Sequence, residues 1–193
     1  MTEQDGPILN IIGEKVALGP HRRDLLPLYT RWLNDFEVVR NLAMGMHPMT
    51  LDAEGEWYER AKMDPHTFLI YAREPLRPIG GTGLHEVNHK HRTAEFGIFL
   101  GEKDFWGKGY GTEATRLMLD YAFTGLGLHN VLLRVYSYNV RAQRAYSRAG
   151  FREFGRRREA IRIGGRAYDI VYMDCLATEF ESPALHRLLP ADP

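Results

Sequence analysis

One cysteine, Cys175, is all the thiol in 193 residues. That excludes an internal disulfide framework and any zinc site needing several thiolates, and it suits a reducing compartment. Net charge is also missing: 25 basic residues offset 25 acidic ones, so no global field draws in a phosphate backbone or an anionic lipid, and neither nucleic acid nor membrane is an expected partner. No run approaches the ~20 apolar residues that cross a bilayer, and Met1 to Gly6 lack the apolar core of a signal peptide. The expectation is a cytoplasmic protein. Repeats, low-complexity tracts and long linkers are absent as well. The chain therefore reads as one domain over 13–176, with an N-terminal extension at 1–12 and a C-terminal tail at 177–193. Pro183, Pro190 and Pro193 fit a loosely docked tail.

What is present is a chain that must fold: 44% hydrophobic residues and 26% charged ones match ordinary globular usage. Lys15 to Leu18 is a short strand candidate, and Asp24 is the expected N-cap of a helix over Leu25 to Leu33, whose Leu25, Leu28, Tyr29 and Trp32 share one face. Thr50, Asp52 and Glu54 open a second helix, from Leu51 to about Met63. The period then changes. Thr67 to Ala72, Ile79 to His85 and Ala94 to Leu100 read as an antiparallel meander. A helix from Thr112 to about Phe123 stops at Gly125 and Gly127, a strand runs from Val131 to Tyr136, and Asn139 precedes a short helix ending at Gly150. Gly164-Gly165 makes a hairpin of Phe151 to Glu159 with Ala167 to Leu176. The fold class is mixed α/β, or α+β.

The chemistry starts at Trp106-Gly107-Lys108-Gly109-Tyr110-Gly111-Thr112, where three alternate glycines stand between a strand and an amphipathic helix. Without Cβ atoms in the way, successive backbone N–H groups and the positive end of the helix can face one anion, with a pyrophosphate the natural guest. A Walker loop needs Gly, four residues, then Gly-Lys-Ser/Thr; a dinucleotide fingerprint needs two residues before its third glycine and an acid ~20 residues on. Neither pattern is met. A plain flexible turn and a nucleotide-binding loop remain open on spacing alone.

The glycine loop, followed by Asn139-Val140-Arg141-Ala142-Gln143-Arg144-Ala145-Tyr146-Ser147-Arg148-Ala149-Gly150-Phe151, resembles the GCN5-related N-acetyltransferase (GNAT) superfamily. Within it, the likeness is to ribosomal-protein N-terminal acetyltransferases and spermidine acetyltransferases, from about Lys15 to Leu176. The resemblance implies a mostly antiparallel sheet of about seven strands flanked by helices, with splayed strands at the acetyl-CoA site. It implies that the backbone of Gly107, Lys108, Gly109, Tyr110, Gly111 and Thr112 cradles the acetyl-CoA pyrophosphate. Phe99 and Leu100 would pair with the pantetheine arm, Asn139 would contact the cofactor near its reactive end, and Tyr146 would protonate the departing thiolate. Where many members carry Arg or Gln this chain has Trp106, which puts a side-chain contact there in question. Arg148, beside the cofactor helix, is a phosphate candidate.

Acetyl transfer to an amine needs a neutral nucleophile, a stabilised oxyanion and a proton for the leaving thiolate. An ammonium with a pKa of ~10.4 needs a carboxylate to remove its proton near neutrality. Glu95, on the strand leading into the loop, is the candidate base, with a solvated strand residue paired to Arg92 or a neighbour as the plainer reading. A thiol-like pKa of ~8.5 lies close enough to tyrosine's ~10 for Tyr146 to serve as acid, the alternative being a packed aromatic; Ser137 and Ser147 are weaker donors. A backbone N–H near Leu100 is expected to hold the oxyanion. No metal is expected: His85, His89 and His91 straddle a polar hairpin with no fixed carboxylate near them. Arg156-Arg157-Arg158 reads as a solvated face, with contact to the 3'-phosphate of coenzyme A or to an acidic acceptor as the alternative, and Cys175 as a small buried hydrophobe. The expected function is acetyl-CoA-dependent N-acetylation of a small-molecule or peptide amine in a ternary complex. A non-catalytic acyl-CoA sensor or assembly domain is the alternative. The terminal hairpin and tail offer a surface for a homodimer.

Overall fold

Phe68-Leu69-Ile70-Tyr71-Ala72 is buried on both faces, as happens to a strand in mid-sheet and not at its edge. The structure, a computed structural model, describes residues 6–187 and arranges eight strands in the order β1-β2-β3-β4-β5-β6-β8-β7. They are β1 (Ile11–Ile12), β2 (Val16–Gly19), β3 (Thr67–Arg73), β4 (Leu76–Asn88), β5 (Thr93–Leu100), β6 (Asn130–Tyr136), β7 (Arg152–Ile163) and β8 (Arg166–Leu176). Every neighbouring pair is antiparallel except β5 with β6. This is the expected mixed, mostly antiparallel sheet. The eighth strand is β1, supplied by the segment read as an extension.

Five α-helices are described: α1 (Leu26–Leu33), α2 (Phe36–Val39), α3 (Leu51–Ala61), α4 (Tyr110–Asp120) and α5 (Val140–Ala149). Thr50 caps α3 as its residue type demands, its hydroxyl accepting the Ala53 N–H at 3.1 Å. Asp24 does not cap α1. Arg22 takes its carboxylate through two bonds of 3.0 and 2.7 Å, Arg23–Leu25 forms a 3₁₀ turn, and α1 begins after Leu25 with Pro27 in its first turn. α4 starts two residues earlier than the expected helix and ends in a π-helical turn, Tyr121–Gly125.

The sheet carries apolar clusters on both faces. α4 lays Leu117 and Met118 into a large cluster with Ile70, Leu84, Val131 and Leu133, while Tyr29 and Trp32 of α1 pack on Leu69 and Tyr71, the alternate residues of β3. Each such buried side chain contributes roughly 1.5–3 kcal/mol. The described part of the tail is held more firmly than its composition suggests. Buried Asp120 accepts the N–H groups of Ala184 and Leu185 at 2.9 and 2.8 Å, and Phe180 packs on Phe123 with 5.4 Å between ring centroids. Pro190 and Pro193 lie outside the described residues.

Candidate active site

The central event in the sheet is a parting of strands. β5 and β6 pair only over Thr93–Glu95 with Asn130–Leu132. Beyond that point β5 keeps its register with β4 as far as Leu100, and β6 keeps its register with β8 as far as Tyr136. The segment from Phe96 to Leu100 therefore has no sheet partner on its β6 side. A cavity of ≈ 930 Å³ fills the fork and continues over the glycine loop.

The loop is held open by backbone geometry. Gly107 and Gly109 have φ of +73° and +91°, conformations an L side chain rarely adopts. Among the described residues, a Cβ at Gly107 would meet nothing within 4 Å, and at Gly109 only the Lys15 amine at 3.7 Å, so none of them fills the space above either glycine. Gly109 caps α4 without any side-chain hydrogen bond. The first amide to close back is that of Glu113, onto the Gly109 carbonyl at 3.0 Å, which leaves the N–H groups of Tyr110, Gly111 and Thr112 facing a potential anion. Lys15 steadies the loop by donating to the Lys108 carbonyl at 3.3 Å. Glu113 accepts the Glu14 and Lys15 amides at 2.5 and 3.0 Å, tying α4 to the start of β2. The side chain of Tyr110 packs on Phe105, centroids 4.8 Å apart, and neither Tyr110 nor Lys108 is among the residues lining the cavity.

Trp106 stands at the cavity wall. Its indole N–H donates to the Leu100 carbonyl at 2.9 Å, and the Arg141 guanidinium lies 3.8 Å over its ring, so the position carries a cation–π stack. Burial and the neighbouring Arg40 both lower the Arg141 pKa. Arg141, Arg144 and Arg148 stand at i, i+3 and i+7 on α5 and all line the cavity. The sequence reading names Arg148 alone; for the other two the available signal is their helical spacing beside a phosphate loop.

Asn139 caps α5, its side-chain oxygen accepting the Ala142 N–H at 3.2 Å, and still borders the cavity. Tyr146 also lines it, set edge-on to Phe96 with centroids 6.2 Å apart. Its hydroxyl has no hydrogen-bond partner among the described residues, and desolvation pushes the phenol up to about 12, which keeps it protonated across the neutral range. Ser137 accepts the Asp169 amide at 3.1 Å and does not line the cavity, and Ser147 is exposed outside the cavity wall. Burial raises the Cys175 thiol to about 11, far from a nucleophile's range.

Glu95 sits where the strands part. Its Oε1 accepts the Arg134 Nε–H at 2.7 Å, with the carboxylate largely covered at 17% exposure. The partner is thus Arg134 on β6, and not Arg92, which donates to the Gly127 carbonyl at 2.6 Å. At the far end of the cavity stand His21 and Trp57, rings edge-on at 5.1 Å. Burial lowers His21 to about 4, so its imidazole is neutral near pH 7. His85 lines the cavity opposite Glu95, while His89 lies away beside His66.

Comparison with known proteins fits this geometry. Residues 15–152 match the model described as the acetyltransferase (GNAT) domain, well over half of the chain. The chain belongs to that family. It is thereby an acyltransferase of the GNAT N-acetyltransferase type, and its co-substrate is acetyl-CoA. The spermidine N(1)-acetyltransferase of Vibrio cholerae is 37% identical over 102 residues, 53% of this chain and 58% of that protein. A Bacillus subtilis protein named as a ribosomal N-acetyltransferase, YdaF, is 34% identical over 102 residues, 53% of this chain and 55% of its own length. These alignments span little more than half of each relative. Over the whole fold, the crystal structure of the Vibrio cholerae spermidine N-acetyltransferase in complex with CoA and spermine superposes with a TM-score of 0.77 at 28% identity, covering 86% of this chain and 98% of that one.

Proposed function

We propose that this protein acetylates a primary amine by direct attack in a ternary complex, with Glu95 as base and Tyr146 as acid. The observation that carries the reading is the single cavity joining the open amides of α4 to a fork that holds a carboxylate on one wall and a neutral phenol on another. The residues suit the CoA diphosphate: bare N–H groups at a helix start, left-handed glycines with free space above them, and a stripe of arginines on α5. Acetyl-CoA supplies the activated acyl carbon.

Glu95 presents Oε2 to the incoming ammonium while Arg134 holds Oε1, so the carboxylate accepts a proton without rotating. Nitrogen then forms the new C–N bond as the C–S bond breaks. Tyr146, on the cavity wall with no hydrogen-bond partner among the described residues, gives its proton to the sulfur. Nitrogen sheds two protons in all: one leaves through Glu95 to solvent and the other restores the phenol. The unpartnered amides of the Phe96–Leu100 segment face the gap and suit the developing oxyanion. Asn139 and Arg148 border the cofactor end.

The test is thiol release on mixing acetyl-CoA with a panel of chemically diverse amines, alongside calorimetric binding of acetyl-CoA alone. Turnover with any amine is the expected result. Tight binding with no thiol release from any of them would replace the enzyme by a sensor of acyl-CoA.

A further inference from the structure

The charges around the fork carry information about the acceptor. Among the described residues, Glu95 is the single carboxylate lining the cavity, against Arg134, Arg141, Arg144 and Arg148. The last three share the α5 face beside the glycine loop, which leaves Glu95 and Arg134 to meet the acceptor. They are bound to each other at 2.7 Å through one atom apiece, Oε1 and Nε. Oε2 of Glu95 and both Nη groups of Arg134 have no protein partner among the described residues, and Arg134 is 52% exposed. The pair thus presents one anionic and one cationic contact side by side. The other carboxylate near Arg134, Glu86, is exposed and does not line the cavity.

The terminal hairpin reaches the cavity and carries exposed charge of the same sign as Arg134. Ile161 and Ile170 of the terminal hairpin line the cavity, with Arg162 next to the first and Arg157 paired in register with the second. Arg157, Arg158, Arg162 and Arg166 are exposed and have no ion pair among the described residues. On the same hairpin Glu153 is paired with Arg156 and Asp174 accepts from Asn130, which leaves Glu159 and Asp169 against these four arginines. A polycation entering here meets one carboxylate already paired with Arg134 and no second carboxylate in the lining among the described residues, so each further ammonium is desolvated without a counter-charge.

Resting on the transferase reading above, we infer that the acceptor is an amine with an anionic group, a carboxylate or its equivalent, within a few atoms of the nitrogen, and that polyamines are poor acceptors. The ammonium sits on Oε2 of Glu95, and the anion takes the two Nη groups of Arg134 in the fork geometry that guanidinium offers a carboxylate. An amino-acid-like zwitterion and the acidic N-terminus of a peptide both present this chemistry.

Matched acceptors test it: a free amino acid against its carboxamide, a tetrapeptide beginning with Asp against one beginning with Asn, and spermidine. The acid member of at least one pair should exceed its amide in kcat/KM by roughly ten- to a hundredfold, the range of a charged hydrogen-bonded contact, and the pair that shows it identifies the source. Spermidine should fall below that acid member. Arg134→Gln should bring the ratio to within about twofold, and Arg134→Lys should keep part of it. A CoA-induced rise in melting temperature serves as the check on folding, and if a variant loses it the wild-type ratios decide alone. Spermidine turned over as well as the acids, acids and amides equal in the wild type, or a ratio untouched by Arg134→Gln would each overturn the inference while leaving amine acetylation intact. Absence of thiol release from every member would overturn the transferase reading together with it.

Discussion

The two ends of the cavity are built differently. At the cofactor end, Gly107, Gly109 and the first turn of α4 offer main-chain amides, and their positions follow from left-handed glycines and a helix start within seven consecutive residues. At the acceptor end, Glu95, Arg134, His21 and Trp57 come from β5, β6, the turn after β2 and α3, brought together only by the folded sheet. A site made of backbone tolerates drift in its side chains; a site made of side chains changes its guest when one of them changes.

Gly109→Val breaks the comparison at its strongest point. A β-branched residue is strained at φ +91°, and CoA affinity should fall at least roughly a thousandfold, about 4 kcal/mol, as read by calorimetry. Retained affinity would mean that the loop does not hold the diphosphate. Next is Tyr146→Phe, which removes the acid and keeps the ring. Turnover should drop about a hundredfold in single-turnover measurements while CoA affinity stays as it was, and an unaltered rate would reassign the proton donor.

Glu54 sharpens the acceptor side, because α3 also carries Trp57 at the cavity wall. It is 2% exposed, its Oε2 has no partner, and burial raises its pKa from the usual 4.5 to about 7. Below pH 4.5 the group is protonated in both folded and unfolded chains, and that stability is intact. As pH climbs toward 7 the unfolded chain releases the proton first, so stability is lost through this window. Glu54→Gln should therefore stabilise the protein by about 3 kcal/mol at pH 8 and leave it level with the wild type near pH 4, as measured by urea unfolding. A variant destabilised at pH 8 would show that the carboxylate has a charged partner. The smallest effect is expected from Arg141→Ala, which removes the cation above Trp106. It should weaken CoA roughly fivefold, about 1 kcal/mol, and more at low salt; unchanged affinity at every salt concentration would confine Arg141 to packing.

Legibility in the sequence followed the same division. The glycine loop, the Thr50 cap of α3 and the Gly164-Gly165 hairpin are local signals, each requiring a backbone conformation that few residues supply, and the structure contains all three. The GNAT resemblance rested on such segments, and the family match confirms it. Asp24 failed as a cap because Arg22, two residues away, competes for the same carboxylate. α2 has only four residues, too short for a period to show. The Glu95–Arg134 pair joins positions 39 residues apart, across strands whose neighbourhood no local pattern announces, and the anchoring of the tail on Asp120 spans 64 or more. Arg141 and Arg144 did carry a visible helical spacing, but spacing alone does not say which face of a helix meets a ligand.

The direct test of the backbone cradle is to follow the ¹H–¹⁵N amide resonances during titration with CoA. Those of Tyr110, Gly111 and Thr112 should move downfield, further than any others outside the fork, and saturate at the affinity found by calorimetry. Saturable CoA binding that leaves these three resonances in place would contradict the account.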